Sequence, residues 1–122
     1  LIYLIKNAKA LNIDVNKIVI MGGSAGGHLA LMGGLLGNDT RFDTNCKGVK
    51  DVKVAAIIDK YGITDVGAWP SKSATWWLGE QAKNTAFIQS VSPIYHVKKN
   101  SPPVFIVHGD ADPIVSYQQS VE

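Results

Sequence analysis

The sequence predicts an α/β fold in which a parallel sheet is flanked by helices. Three short runs, at 18–21, 52–58 and 104–107, are almost continuously apolar. Such runs are typical of parallel strands that are covered on both faces, because a half-exposed strand alternates apolar with polar residues. Segments with helical spacing or turn residues separate the three runs. This alternation predicts one layered α/β domain.

The composition is that of an ordinary globular protein and excludes several classes of partner. The 122 residues are 46% hydrophobic and 18% charged, which suits a single modest core. The net charge is +2 and the longest basic run is Lys98-Lys99, so neither a nucleic-acid site nor a polybasic membrane patch is predicted. No apolar run is long enough to span a bilayer. Cys46 is the only cysteine, which excludes an intrachain disulfide and is compatible with a cytoplasmic or a secreted protein.

The first segment is predicted to be a helix over 1–11 that Asn12 ends. Its apolar residues recur at helical spacing, namely Leu1, Leu4, Ile5, Ala8 and Leu11. Because the chain opens on Leu1 within this pattern, it is interpreted as a piece of a longer protein. A second helix is predicted from Ser24 to Leu36, with Gly37 closing it. The residues expected to face the sheet are Leu29, Met32, Leu35 and Leu36.

A G-x-S-x-G pentapeptide occupies the junction between the first strand and the second helix. It reads Gly22-Gly23-Ser24-Ala25-Gly26 and leaves no residues for a loop. A side chain at so sharp a turn needs strained backbone angles, and flanking glycines let the chain pass close to itself. We therefore expect an exposed Ser24 hydroxyl at the positive end of a helix.

The remainder is predicted as alternating loops and short elements. A surface loop at 38–51 precedes the strand at 52–58, which the polar residues at 59–62 end. Residues 63–103, here called the excursion, are too long for a simple crossover and contain a helix at 85–90; long connections of this kind are often functional. After the strand at 104–107, the pattern S-x-x-Q from Ser116 predicts a capping box and a last helix.

Ser24 and Asp112 are the candidate nucleophile and acid of a catalytic triad. A serine hydroxyl needs a base to take its proton, and a carboxylate fixes the tautomer of that base. Both residues follow strand ends, where the reactive groups of such sheets collect. The order serine, acid, histidine puts the histidine after Asp112, where the sequence has none, so the third triad member is expected outside this chain. The N–H of Ala25 is the expected oxyanion donor.

The three histidines of the chain are weaker candidates for the base. His28 lies one helical turn from Ser24 and is interpreted as a packing residue, because a base must approach the hydroxyl from the pocket side. His108 is expected to hydrogen-bond the turn that carries Asp112, and His96 is expected at the surface.

Two other carboxylates and the aromatic residues leave alternatives open. Asp110, like Asp112, could be a turn carboxylate, and Asp65 could either approach the site or cap a helix. The excursion contains Trp69, Trp76 and Trp77. These tryptophans either form its core or wall an acyl pocket. The candidate pocket residues are Gly23, Trp76 and Trp77.

Several motifs occur together and in a consistent order along the chain, at 21–30, 61–65, 92–93, 102–115 and 117–120. They include Gly22-Gly23-Ser24-Ala25-Gly26 and the H-G-x-x-D pattern that ends at Asp112. In this combination the sequence resembles the α/β-hydrolase esterase and lipase family, and most of all its carbohydrate-side-chain esterases of feruloyl and acetyl-xylan type. The resemblance implies that residues 1–122 are the central part of one α/β-hydrolase domain and that 63–103 is a cap-like excursion.

The resemblance also implies a function, and the sequence departs from the family pattern in what it lacks. Ser24 would be the nucleophile and Asp112 the triad acid, while the family's upstream oxyanion loop, first strands and downstream histidine have no counterpart here. The hypothesis is a serine hydrolase that cleaves small-molecule carboxylic esters, including acyl groups linked to carbohydrates, without metal or cofactor. Residues 1–122 by themselves are expected to be inactive. Alternatives are a prolyl-oligopeptidase-like peptidase and a hydrolase-like module that binds without turnover.

Overall fold

The computed structural model describes residues 1–37, 39–42, 48–49 and 52–122. Three parallel strands form one sheet in the order β1-β2-β3. The strands are β1 (Val19–Gly23), β2 (Ala56–Lys60) and β3 (Val104–Val107). The predicted parallel α/β architecture is confirmed, and all three strands end at the same edge of the sheet. The outer strands are not covered on both faces as predicted, because Met21 of β1 is 63% and Phe105 of β3 64% exposed.

The described residues include four α-helices and several single-turn 3-10 helices. The α-helices are α1 (Ile2–Lys6), α2 (Ala25–Leu35), α3 (Lys72–Leu78) and α4 (Thr85–Ser90). The 3-10 helices are Val15–Lys17, Thr40–Phe42, Gly79–Lys83, Pro93–His96 and Tyr117–Ser120. In this described part of the chain no helix has both the length and the apolar character that crossing a bilayer requires. The loop predicted at 38–51, and Cys46 within it, lie largely outside the described residues.

Helix α2 packs on the sheet and buries the main core. The core residues are Ile18, Ala30, Leu31, Leu35, Val54 and Ile57. Gly34 has a steric role here, because a Cβ at this position would collide with the Ile57 side chain. Met32 and Leu35 are buried as predicted, but Leu29 is 66% exposed and does not face the sheet. Since α2 is apolar almost all round, its sequence pattern could not select the buried face.

The strand boundaries differ from the predicted ones. The run at 52–58 is apolar because Val52 and Val54 are buried, but the ladder itself covers Ala56–Lys60. Asp59, predicted to end the strand, therefore lies inside it. Burial alone does not define a strand; the hydrogen bonds to its neighbours do, and these are set by residues distant in sequence.

The first helix is shorter than the predicted 1–11. It ends at Lys6, where the side-chain amide of Asn7 donates to the carbonyl of Tyr3 at 2.8 Å. A side chain that binds the backbone in this way competes with continued helix. Asn12, predicted to end the helix, instead lies in the turn that follows it, with φ of 54°.

The excursion forms a second core and, as predicted, contains a helix at Thr85–Ser90. The buried residues of this core are Ile63, Val66, Ala74, Val91 and Val115. His96, expected at the surface, is buried, and its Nε2 donates to the carbonyl of Ser90 at 2.8 Å. The prediction for His96 is wrong because the polar segment around it folds back on α4.

The end of the chain does not form the predicted capping box. Tyr117–Ser120 is a single 3-10 turn, and the Ser116 hydroxyl accepts from the N–H of Gln118 at 3.3 Å. Gln119, the residue expected to reach back to Ser116, turns its side chain to the loop after β2 instead.

Candidate active site

Ser24 occupies a strained turn between β1 and α2. Its backbone angles are φ 54° and ψ −123°, a conformation that costs a non-glycine residue about 1–3 kcal/mol. The turn is fixed on both sides, because the Ser24 N–H donates to the carbonyl of Lys60 at 2.9 Å and the Ser24 carbonyl accepts from the N–H of His28 at 3.1 Å. The Ser24 side chain makes no capping bond to α2. The Ser24 hydroxyl therefore does not serve as the N-cap of the helix that follows it.

The glycines of the pentapeptide do not contribute equally to this turn. A Cβ on Gly22 would collide with the backbone carbonyl of Gly26. A Cβ on Gly26 would meet nothing within 4 Å. Close approach of the backbone therefore explains why residue 22 is glycine, as predicted. The same prediction for Gly26 is wrong, because the space beside it is open.

Helix α2 begins at Ala25, directly after the Ser24 hydroxyl. The first N–H groups of a helix have no acceptor within it and carry partial positive charge. The N–H of Ala25 can therefore donate to a negatively charged oxygen that develops beside Ser24.

Asp112 lies in the acid loop, residues 108–120, which follows β3 at the same sheet edge as Ser24. Its Oδ1 accepts from the N–H of Val115 at 2.9 Å and from that of Ile114 at 2.8 Å. These two bonds hold the pKa of Asp112 below its ordinary value, and nearby His108 adds a smaller effect in the same direction. The carboxylate consequently stays ionised and is fixed in orientation.

His108 anchors the acid loop, as predicted from its place at the end of β3. Its buried ring donates from Nε2 to the carbonyl of Val115 at 2.9 Å, so in the neutral ring Nδ1 accepts from the Ser120 hydroxyl. The same Nε2 lies 3.6 Å from Asp112 Oδ2. His108 thus holds the acid in place with both ring nitrogens and has none left for Ser24.

His28 and Asp65 also have structural partners. His28 is buried as expected, donates from Nε2 to the carbonyl of Val91 at 2.8 Å, and meets the Trp77 ring edge-on with centroids 5.6 Å apart. Asp65 caps a turn by accepting from the N–H of Gly67 at 2.8 Å. Asp110, the other carboxylate considered, lies exposed at the turn before Asp112.

Gln119 joins the acid loop to the excursion, a connection that sequence reasoning missed. Its side chain is buried, and its Oε1 accepts from the N–H groups of Thr64 and Asp65, both at 2.8 Å. Its Nε2 donates to the carbonyl of Asp65 at 3.1 Å. The indole N–H of Trp69 adds a second link by donating to the carbonyl of Ile114 at 2.9 Å. No local pattern could reveal partners 54 and 55 residues away.

An apolar cavity of about 240 Å³ opens beside Ser24. Its lining comes from α2 and the excursion and consists of Ser24, Ala25, His28, Leu29, Ile63, Val66, Trp69, Ser73, Ala74 and Trp77. Of the candidate pocket residues, Trp77 lines this cavity. Trp76 is 83% exposed and does not line it, and Gly23 lies against the Tyr61 hydroxyl. Trp69 also lines the cavity, as the pocket alternative for the three tryptophans predicted. Trp76 and Trp77 differ because successive residues of a helix point about 100° apart.

Comparison with curated proteins identifies esterases as relatives. Esterase LipC of Mycobacterium tuberculosis is 30% identical over 123 aligned positions, and the match covers 88% of this chain and 29% of LipC. Esterase LipQ of the same organism is 31% identical over 115 aligned positions, and the match covers 88% of this chain and 27% of LipQ. The chain thus spans less than a third of the length of these relatives.

Solved structures and a family model agree with this result. A truncated carbohydrate esterase from gut microbiota superposes with a TM-score of 0.81 and 28% identity, covering 98% of this chain and 50% of that one. The bifunctional GH43-CE protein of Bacteroides eggerthii superposes with a TM-score of 0.85 and 25% identity, covering 98% of this chain and 18% of that one. The sequence model of the BD-FAE family matches residues 1–122. The resemblance predicted from the motifs is confirmed: the chain has an α/β-hydrolase fold and belongs to the BD-FAE family.

Proposed function

We propose that the protein is a serine esterase that cleaves carboxylic esters through an acyl-enzyme on Ser24. The observation that carries the proposal is the strained turn, which presents a hydroxyl that does not cap α2 beside the first N–H groups of that helix. A non-glycine residue persists at such angles only where the surrounding structure enforces them, and such positions cluster at active sites. The esterase relatives support ester rather than peptide substrates.

In the proposed reaction, Ser24 Oγ attacks the ester carbonyl while a histidine takes its proton. The N–H of Ala25 donates to the oxyanion, and Asp112 orients the histidine and stabilises its charged form. When the tetrahedral intermediate collapses, the alcohol leaves with the histidine's proton and the acyl group remains on Ser24. Water then attacks the acyl-enzyme while the histidine takes a proton from it, and the histidine passes that proton to Ser24 Oγ as the acid is released.

The base in this scheme is a histidine from outside these 122 residues. Each histidine of the chain already donates from Nε2 to a backbone carbonyl, and the acceptors are Val91 for His28, Ser90 for His96 and Val115 for His108. Breaking any of these bonds would leave a carbonyl without its donor, and at the buried residues Val91 and Val115 this costs about 1–3 kcal/mol.

The cavity beside Ser24 is the proposed acyl pocket, with Trp69 and Trp77 as its aromatic walls. A dry cavity of about 150 Å³ accommodates benzene, so about 240 Å³ admits a short alkyl chain or a single aromatic ring. The carbohydrate esterase among the structural relatives supports alcohols of carbohydrate type.

Replacement of the nucleophile tests the proposal. In the whole protein, Ser24→Ala should abolish p-nitrophenyl acetate hydrolysis and labelling by a fluorophosphonate probe. Ser90→Ala is the matched control, because Ser90 Oγ bonds only within its own helix turn and activity should be unchanged.

Two outcomes would point to the alternatives. Cleavage of a proline-containing peptide amide faster than the ester would favour a peptidase, and a folded protein whose Ser24 does not react with the probe would indicate a module that binds without turnover. Ester hydrolysis that survives Ser24→Ala would refute the assignment.

A further inference from the structure

Asp59, in the central strand, is a buried carboxyl that the proposed chemistry does not use. It is 0% exposed, and neither carboxyl oxygen makes a well-formed hydrogen bond within the described part of the chain. Buried polar groups are nearly always paired, so an unpaired carboxyl in a sheet core needs an explanation. Packing alone does not explain a carboxyl here, because an apolar side chain could fill the same kind of space. Ile57, the neighbour of Asp59 on the same face of β2, is apolar and equally buried.

The carboxyl lies between two glycines that belong to different parts of the site. Asp59 pairs with Gly22 of β1 in the ladder, and its Oδ1 occupies the space where a Cβ on either Gly27 or Gly62 would be. Gly27 is in the first turn of α2, and Gly62 is in the turn that follows β2. The two sides are in close contact, because a Cβ on Gly62 would also lie 2.9 Å from the His28 nitrogen.

The turn after β2 is itself held in an unusual conformation. Tyr61 has φ of 44° and its N–H donates to the carbonyl of Val107 at 2.8 Å. Positive φ in a residue with a large side chain persists only where neighbouring structure enforces it. The Asp59 carboxyl is packed directly beneath this turn and interacts with the backbone N–H of Gly62.

Burial raises the pKa of Asp59 above its ordinary value, and the Gly62 N–H, His108 and His28 offset only part of this effect. The nearby start of α2 carries partial positive charge.

We propose that Asp59 is a positioning residue for the turn that carries Ser24 between β1 and α2, and that it acts through the backbone of Gly27 and Gly62. Its carboxyl packs against both the first turn of α2 and the turn after β2 where these two turns meet, and so sets the position of the Ala25 N–H relative to the Ser24 hydroxyl. The Ser24 carbonyl is bonded to the N–H of His28, so a shift of the first helical turn is transmitted to Ser24. This inference rests on the proposed esterase function.

The test compares Asp59→Ala with Asp59→Asn in the whole protein. Misplacing reacting groups by about 1 Å can lower the rate about 100-fold, so we expect Asp59→Ala to lower kcat for p-nitrophenyl acetate about 10- to 100-fold with KM nearly unchanged. Asp59→Asn keeps the shape of the side chain and should remain within about threefold of wild type. Rates are expressed per fluorophosphonate-reactive site, which removes any contribution from unfolded protein.

Two further variants keep the result interpretable. Ile57→Val disturbs the same face of β2 away from the turn and should lower the melting temperature without changing kcat. Gly62→Ala pushes on the carboxyl and on the backbone at the start of α2 and should lower kcat as Asp59→Ala does, which tests the packing of the two turns even if Asp59→Ala does not fold.

The outcomes separate this inference from the proposed function. Wild-type kcat in Asp59→Ala or Gly62→Ala, or an equal loss in Asp59→Asn and Asp59→Ala, would overturn the positioning role while Ser24→Ala remains inactive. Activity in Ser24→Ala would instead overturn the proposed function itself.

Discussion

The link between the acid loop and the excursion depends on Gln119, and its removal has a calculable cost. Gln119→Met keeps the side-chain volume but deletes the amide, which leaves the N–H groups of Thr64 and Asp65 and the carbonyl of Asp65 without their partner. Each net hydrogen bond contributes about 0.5–1.5 kcal/mol, and an unpaired buried group costs about 1–3 kcal/mol. The three backbone groups are only partly buried and share one partner, so their costs do not add in full, and the expected loss is about 3–5 kcal/mol.

Gln118→Met is the matched control, because this neighbouring side chain is exposed. It should change the stability by less than about 0.5 kcal/mol. Urea unfolding of the whole protein, followed by tryptophan fluorescence, measures both variants; Trp69 is bonded to the acid loop and reports on it. A free energy of unfolding for Gln119→Met within about 0.5 kcal/mol of the Gln118→Met value would refute the reasoning.

Two more predictions concern the acid and the nucleophile turn. Because backbone hydrogen bonds lower the pKa of Asp112, its contribution to stability should be constant above about pH 5 and fade as the pH falls below about 4. The difference in unfolding free energy between wild type and Asp112→Asn, measured across this range, checks the direction; a difference that grows on acidification would contradict it. Gly22→Ala should nearly abolish fluorophosphonate labelling, because its Cβ collides with backbone atoms, whereas Gly26→Ala should keep most of it, because its Cβ meets nothing within 4 Å. Equal labelling of the two variants would show that the turn tolerates the collision.

The strand, turn and helix around Ser24 could be predicted because their causes are local. Few conformations are open to this segment, because an apolar run leads into the pentapeptide that begins with Gly22 and an apolar helix follows without a loop. The same is true of the acid loop, where Asp112 bonds the N–H groups two and three residues ahead of it. His108 is four residues from Asp112 and its anchoring role was also predictable.

Exposure was the property that local patterns predicted least well. Leu29 and Trp76 point away from the core, and His96 points into it. Each of these residues belongs to a segment whose pattern permits either orientation, so the elements packed against it decide. The family resemblance, in contrast, came from several motifs at once and was confirmed over the whole chain.

Short-range sterics and hydrogen bonds specify the order of elements, the sharp turn at Ser24 and the local fold of the loop that carries Asp112, so local sequence is enough to predict all three. The enclosure of Asp59 by Gly27 and Gly62, and the bonds of Gln119 to the loop after β2, depend instead on how the elements pack. The contacts of Asp59 with Gly27 and of Gln119 with Thr64 join residues 32 and 55 positions apart. They exist only after the sheet has brought the three strand ends together.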